Sequence, residues 1–513
     1  MINGLLMTVV SLLMRTVSVS FNVYLSNRIG ATAMGLFTLI STVYGFSITL
    51  ATSGINLATT RLVAAALGED PESSIPTTPR RTPHISYIMR KCTGYSLFFG
   101  ILSASALFLL AKPIGIGILG DERTVHPLRV LAITLPAIAL SSSLSGYFTA
   151  MRKVYKNAAV QVLGQGIKIY VSIMLLALWG AEDIESACLA VIWGGVIPEI
   201  LAFIFQWLMY AVEKRSKEHS KEQIDKNTLS RLLNTALPIA FSTYVRSALV
   251  TIEHILIPKG LEKSGASRDL SLAAYGTVHS MVFPVVLFPA AISASFAGLL
   301  VPEIAESCAA GDKRRINGII NTVMETVLMF AIGCAGVMMC FSLELGECIY
   351  PEATDAGKYI FMVAPLIPVM YLDTSVDSML KGIGEQVYSM YINIADAAMS
   401  IVFVWILLPR FGIMGYIITV YFTEIFNATL SITRLMSKSQ VKINPILWVG
   451  RPLLCIVGAT KLTRILIDTL LPTTSVVTHI IISIIIYIAL LTITRGIKPD
   501  VVKDRITYMI SQK

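Results

Sequence analysis

The sequence predicts an all-α protein that crosses a membrane about fourteen times, built as two pseudo-symmetric six-helix lobes followed by two extra C-terminal helices. Three observations predict it. The 513 residues are 55% hydrophobic and only 14% charged, with a mean hydropathy of +0.71, against roughly 25% charged residues in an average soluble domain. Apolar runs of about 20 residues, the length a helix rising about 1.5 Å per residue needs to cross about 30 Å of hydrocarbon, recur along the whole chain. Two stretches also repeat at nearly one offset.

In chain order the runs fall near 5–26, 35–57, 87–111, 127–150, 158–179, 187–210 and 232–257, then 272–301, 316–343, 359–379, 387–408, 413–432, 446–471 and 476–493. The first has no charged residue before Arg15, where a signal peptide would carry a positive n-region, so it reads as a retained span and not as a signal peptide. With the N-terminus inside, about 26 Lys and Arg fall on cytoplasmic segments and about 9 outside, which favours both ends cytoplasmic. The net charge of +9 is then mostly topological and calls for no nucleic acid. Pro- and Ser-containing residues 69–86 read as a cytoplasmic loop, and 213–231 as a basic cytoplasmic linker.

Several function classes drop out. The connections are too short for a soluble catalytic domain, and no Walker A motif, HExxH or Cys/His ligand spacing is present, so neither an enzyme nor a nucleotide-driven pump is expected, and no metal or cofactor is implied. The seven cysteines are scattered through apolar runs and read as small core residues.

The repeat organises the rest. "SLLMRTVSVSFNVYL" from Ser11 and "STYVRSALVTIEHIL" from Ser242 share Ser-xxx-Arg, and place Arg15 and Arg246 at equivalent positions about 231 residues apart. A second pair, from Lys153 and from Gln386, aligns at about 233. Six spans per unit is even, so both copies share one topology, related by an axis along the membrane normal. The chain then divides into a lobe at 1–212, the linker 213–231, a lobe at 232–440, the extra pair within 441–496 and a cytoplasmic tail at 497–513.

A charge at mid-membrane costs at least about 2.5–3.5 kcal/mol, so each one needs a reason. Arg15 has no acid in its own span, which favours a wet central cavity shared with Arg246; Glu253, seven residues after Arg246, is a competing partner for it. Lys168 in span five either adds to that cavity or pairs with Glu199 in span six. Gln161 and Gln165 read as interhelical contacts. Glu253, Asn393 and Asp396 offer hard oxygen ligands for sodium or proton coupling, or else form an interhelical network. In span thirteen Lys461, Arg464 and Asp468 make one helical stripe that should face protein or headgroups.

The chain also resembles the multidrug/oligosaccharidyl-lipid/polysaccharide (MOP) flippase superfamily, in its stage V sporulation protein B and polysaccharide-biosynthesis branch. The likeness rests on "LSGYFTAMRKVYKNAAVQVLGQGIKI" at 144–169, on the Pro-rich "FPVVLFPAAISASFAGLLVPEIAES" at 283–307 and on the short turn in "LKGIGEQVYSMYINIADA" at 380–397. It implies a flippase in a bacterial cytoplasmic membrane that moves an undecaprenyl-diphosphate-linked sugar to the outer leaflet, with membrane lipids as surroundings. It further implies a cationic cavity, in which Arg15 matches a first-span arginine and Arg61 another; the eighth span departs from the pattern by carrying His279 and no arginine, which leaves the second-lobe role to Arg246. Arginine suits a diphosphate because its guanidinium stays ionised and binds oxygens bidentately. The rival within the superfamily is a multidrug and toxin extrusion antiporter, whose organic-cation substrates a cavity lined by Arg15 and Arg246 would repel.

Overall fold

A computed structural model describes residues 2–68, 83–180, 183–215, 228–439, 445–470 and 475–494. Most of the expected loop at 69–86, most of the linker at 213–231 and the tail at 497–513 lie outside the described residues. Within them every regular element is helical. In lipid this follows from the backbone, since a helix satisfies its N–H and C=O groups within one segment.

The helices are α1 (Ile2–Thr52), α2 (Ile55–Gly68), α3 (Pro83–Lys112), α4 (Val125–Ala132), α5 (Leu135–Ala150), α6 (Val154–Trp179), α7 (Ile184–Arg215), α8 (Thr228–Lys263) and α9 (Arg268–Gly276). They continue with α10 (Phe283–Leu287), α11 (Ala290–Ala309), α12 (Lys313–Cys340), α13 (Ser342–Ile349), α14 (Ala356–Val363), α15 (Ile367–Gly382), α16 (Gln386–Phe411), α17 (Ile413–Ser439), α18 (Arg451–Leu470) and α19 (Val476–Ile493).

Among the described residues twelve helical stretches are long and apolar enough to cross a membrane, and a thirteenth is formed by two segments that meet at 45°, Glu122–Ala132 and Leu135–Ala150. The first stretch, Leu12–Leu67, has 56 residues, about 84 Å of helix, which is far more than one crossing of about 30 Å. It breaks at Gly30, whose φ of 77° and ψ of 169° leave the helical region. Such a φ is open to glycine and strained for other residues. Two passes meet there, which gives the fourteen that hydropathy predicts.

Two expected spans are less regular than their apolar runs. Span four carries the bend just described, with Pro136 at the start of its second segment. Span eight runs through α9, a π-helical turn at Thr277–Val282, α10 and α11, with Pro284 and Pro289 at the joints. Proline removes a backbone donor and its ring crowds the preceding turn, so a helix that contains it yields locally. A hydropathy count is blind to both features.

The chain forms two compact units, Met1–Gly276 and Thr277–Lys513. In the first, Ile55, Ile88, Cys92, Leu144, Tyr147, Phe148, Leu232 and Ala236 pack into one core where α2, α3 and α5 meet the start of α8. Helices α8 and α9 also pack along α1. In the second unit α18 and α19 pack on α12, where Gly333 lies under the Tyr487 ring and Gly336 under Ile456. The Tyr487 hydroxyl donates to the Met329 carbonyl at 2.7 Å. Lipid offers no hydrophobic gain for joining helices, so small residues that bring backbones together carry the packing. Large apolar side chains such as Leu109, Leu454 and Ile485 remain on the surface, as a lipid-facing exterior requires.

At the crossing of α1 with α9, backbone meets backbone. A Cβ on Gly35 would sit 2.0 Å from the Leu272 carbonyl oxygen, and one on Gly276 would sit 2.3 Å from that of Ala31. Neither obstacle is a movable side chain. We therefore expect Gly35→Ala to lower the thermal midpoint in detergent by an amount equivalent to about 1–3 kcal/mol. Gly45→Ala on the same helix, where a Cβ meets nothing within 4 Å, should leave the midpoint unchanged or slightly higher. Equal effects at the two positions would refute the backbone-contact account.

Candidate functional site: a set of intramembrane cations

Every cation that the sequence buries in a span must find an anion, a carbonyl or water. Lys168 on α6 and Glu199 on α7 lie within electrostatic reach of each other. Nearby, Tyr44 of α1 shares a short hydrogen bond with Thr134 and feels the Glu199 charge. No ion pair or hydrogen bond joins them among the described residues, so Glu199 acts on Lys168 as a charge at a distance, and both roles open to Lys168 in the sequence stand. Arg464 on α18 donates to the Cys340 carbonyl at 2.7 Å, and Lys461 is exposed. The Asp468 side chain lies outside the described set.

Arg15, Arg61 and Arg246 are different. All three are exposed in the first unit, and among the described residues none makes an ion pair or hydrogen bond. Counted along the helical rise, Arg15 stands about 22 Å from the Gly30 turn, and Arg246 about 25 Å from the end of α8. Both connections follow an odd-numbered pass, so the two arginines share a depth. No direct contact joins them.

Two contacts set the surroundings of Arg246. Tyr244 donates to Ser53 Oγ at 2.6 Å, and Ser247 Oγ lies 3.3 Å from Thr49 Oγ1. These contacts hold α8 on α1 on either side of Arg246. Ser53 in turn lies 2.8 Å from the Tyr95 hydroxyl and has a φ of 43° at the break between α1 and α2. Neither Tyr244 nor Ser53 stood out in the sequence, because a tyrosine and a serine inside apolar runs carry no periodic or motif signal.

Glu253 is not ion-paired with Arg246. It lies near the buried Tyr275 phenol, whose oxygen is 2.9 Å from His254 Nδ1. In the second unit His279 sits in the π-helical turn, edge-on to Phe283 with ring centroids 5.7 Å apart. Asn393 donates to the Ser389 carbonyl at 2.8 Å, and Asp396 lies near Glu424, as does Asp373. Among the described residues no three His, Cys, Asp or Glu side chains are grouped to hold a metal ion.

A pair of clasps ties helix ends together. Lys153 and Lys156, at the start of α6, each donate to Glu213 near the end of α7 at 2.7 Å, and the Tyr147 hydroxyl reaches the same carboxylate at 3.3 Å. In the second unit Glu385, just before α16, accepts from Arg434 at 2.8 Å and Lys438 at 2.9 Å near the end of α17. Glu385 follows Lys153 at almost the repeat offset read from the sequence. The device is the same in both, with its charges exchanged.

The family model described as "Polysaccharide biosynthesis protein" matches residues 2–296, more than half of the chain. The chain belongs to the polysaccharide biosynthesis protein family. A second model, MatE, matches residues 265–406, and the polysaccharide biosynthesis assignment thereby falls within the MOP superfamily of membrane transporters. Stage V sporulation protein B of Bacillus subtilis (strain 168) is 24% identical over 77% of this chain and 75% of its own length. The uncharacterized membrane protein YabM of the same organism is 20% identical over 78% and 73%. Among solved structures, lipid II flippase MurJ in an inward closed conformation superposes with a TM-score of 0.68 at 14% identity, covering 96% of this chain and 98% of that one. An inward-facing multidrug resistance MATE family transporter gives 0.63 at 13%, over 84% and 98%. At such identities the likeness shows the fold: a multi-pass, two-lobe, all-α architecture.

The two clasps differ in burial, and this sets their expected weight. Glu213 is 9% exposed, against 18% for Glu385. Removing the charge by Glu213→Gln leaves two lysines short of a nearly buried partner and should lower the thermal midpoint more than Glu385→Gln, whose pairs are more open to solvent. Lys438 and Arg434 hold the Glu385 carboxyl below the usual carboxylate range. A depressed value means that the contribution is present above the unfolded pKa and is lost as the pH falls through the folded one. The difference in midpoint between wild type and Glu385→Gln should therefore stay constant from about pH 8 to 5 and close below about pH 4. A difference that widens on acidification would contradict the pairing.

Proposed function

We propose that the protein is a lipid-linked saccharide flippase, carrying an undecaprenyl-diphosphate-linked sugar from the cytoplasmic to the outer leaflet of a bacterial membrane by alternating access, with both chain ends in the cytoplasm. The observation that carries this reading is the contrast among its cations. Arg464 donates to a carbonyl and Lys168 has the Glu199 charge nearby, whereas Arg15, Arg61 and Arg246 make no ion pair or hydrogen bond among the described residues. At the depth of Arg15 and Arg246, an ionised guanidinium in an otherwise apolar helix is stable only against water or an incoming anion. A diphosphate supplies the anion and fits the guanidinium fork.

Family membership supports a polysaccharide or cell-wall precursor as the saccharide, and the sporulation protein relative supports a spore-cortex or cell-wall setting. The MatE match and the MATE-type neighbours support the rival reading, an organic-cation antiporter. Three unpaired arginines weigh against it, because they would repel such a substrate.

The test is translocation of a fluorescent undecaprenyl-diphosphate sugar in proteoliposomes. Wild type should move the lipid, and Arg15→Ala and Arg246→Ala should each slow it by about 10-fold or more, the loss of one or more charge-assisted hydrogen bonds of about 1.5–3 kcal/mol. Arg→Lys should recover part of the rate, because charge returns without the planar fork. Wild type inert towards the lipid but exporting an organic cation would establish the antiporter instead.

A further inference from the structure

At one end of the first unit, charged side chains from two separate connections interlock. Asp121 and Arg123 follow α3, while Glu262, Arg268 and Asp269 surround the junction of α8 and α9. Arg123 donates to Asp121 Oδ2 at 2.8 Å and, across the gap, to Asp269 Oδ1 at 2.9 Å. Arg268 pairs with Glu262, lies 3.6 Å from Asp121 Oδ2, and donates to the Leu119 carbonyl at 2.8 Å. The bonds cross in both directions, so neither connection can move away without breaking several.

These groups all stand at one membrane face. The Gly30 turn, the connection after α3 and the connection after α8 each follow an odd-numbered pass, and the first and last lead directly into the Gly35 and Gly276 crossing. Immediately beneath the ion pairs, the backbones of α1 and α9 therefore touch. Positive-inside counting puts this face outside.

We propose that the cluster of Asp121, Arg123, Glu262, Arg268 and Asp269, seated on the Gly35–Gly276 crossing, is a charge latch that keeps the carrier shut on its outer face and releases as α9 separates from α1. The proposal rests on the alternating-access reading above and adds the element that holds one of its two states. Polar pairs suit the purpose. Arg123 and Asp269 have side chains 27% and 62% exposed, so water can take over their hydrogen bonds when they part, and pairs of that kind are individually weak. Burial pushes the Asp121 carboxyl up, but the Arg123 and Arg268 guanidiniums outweigh it and hold it below its ordinary value. Asp121 is thus charged at neutral pH.

Spin labels report the state without any substrate. Cysteines introduced at Glu122 and Leu270, exposed neighbours that take no part in the pairing, replace the seven native ones, and the distance between labels is measured in lipid by double electron–electron resonance. The otherwise wild-type protein should give mainly one short distance. Arg123→Ala with Arg268→Ala should add a longer-distance population while the protein stays monodisperse with a cooperative thermal transition. Asp269→Asn keeps the side-chain shape, guards against misfolding of the double variant, and should give the same change in smaller proportion. Distance distributions unchanged in both variants would overturn the latch. Because no lipid-linked sugar is present, that result would leave the flippase reading standing, and failure of the flipping assay would leave this measurement intact.

Discussion

The cost of placing charge in hydrocarbon governs this molecule. A mid-membrane charge costs at least about 2.5–3.5 kcal/mol unless it is answered, and the described residues show where the answers lie. At helix ends, charged groups form multi-membered clusters: Glu213 with two lysines, Glu385 with an arginine and a lysine, and the five residues between the α3 and α8 connections. Within the spans, Arg464 has a carbonyl and Lys168 has the Glu199 charge nearby. Arg15, Arg61 and Arg246 have no such answer among the described residues.

The two clasps bear on how the chain was built. Each closes the connection after an even-numbered pass and ties the beginning of one helix to the end of the next, as a duplicated unit should. Their reversed signs mean that the basic side of one is the acidic side of the other. Helix α6 offered to α17 would set Lys153 and Lys156 against Arg434 and Lys438, while α16 offered to α7 would set Glu385 against Glu213. Like charges disfavour exchange between the two halves, so two otherwise similar helix pairs keep their own partners.

Much of the fold was legible in the sequence, because apolar runs of span length are nearly a direct readout of membrane crossings. Fourteen passes follow from hydropathy, and the structure reaches the same number once the Gly30 break and the bent fourth span are counted. The bend and the π-helical turn were not legible: hydropathy averages over 20 residues and is insensitive to a local change in hydrogen-bond pattern. Of the site, the arginines announced themselves as charges in apolar surroundings, and Lys168 with Glu199 as an open alternative. The positioning contacts of Tyr244 and Ser53, and the pairing of Arg123 with Asp269, were invisible, since they join segments more than a hundred residues apart without any periodic pattern to mark them. Glu385 is an intermediate case. The repeat register could have pointed to it through Lys153, had charge reversal been allowed as a form of equivalence.

The junction of α1 with α9 shows why a moving part in a membrane protein should be made from glycine and ion pairs. Interdigitated large side chains would have to leave their rotamer wells before two helices could part, and the gaps they left would lose dispersion contacts with nothing to replace them. At Gly35 and Gly276 the surfaces that meet are backbone, so little interlocks. The backbone hydrogen bonds stay within each helix, and separation leaves no polar group orphaned. The remaining hold comes from charges at the water-exposed end, where hydration replaces each broken pair. Strong enough together to favour one state and weak enough singly to be exchanged for water, such contacts let two helices separate without unfolding either.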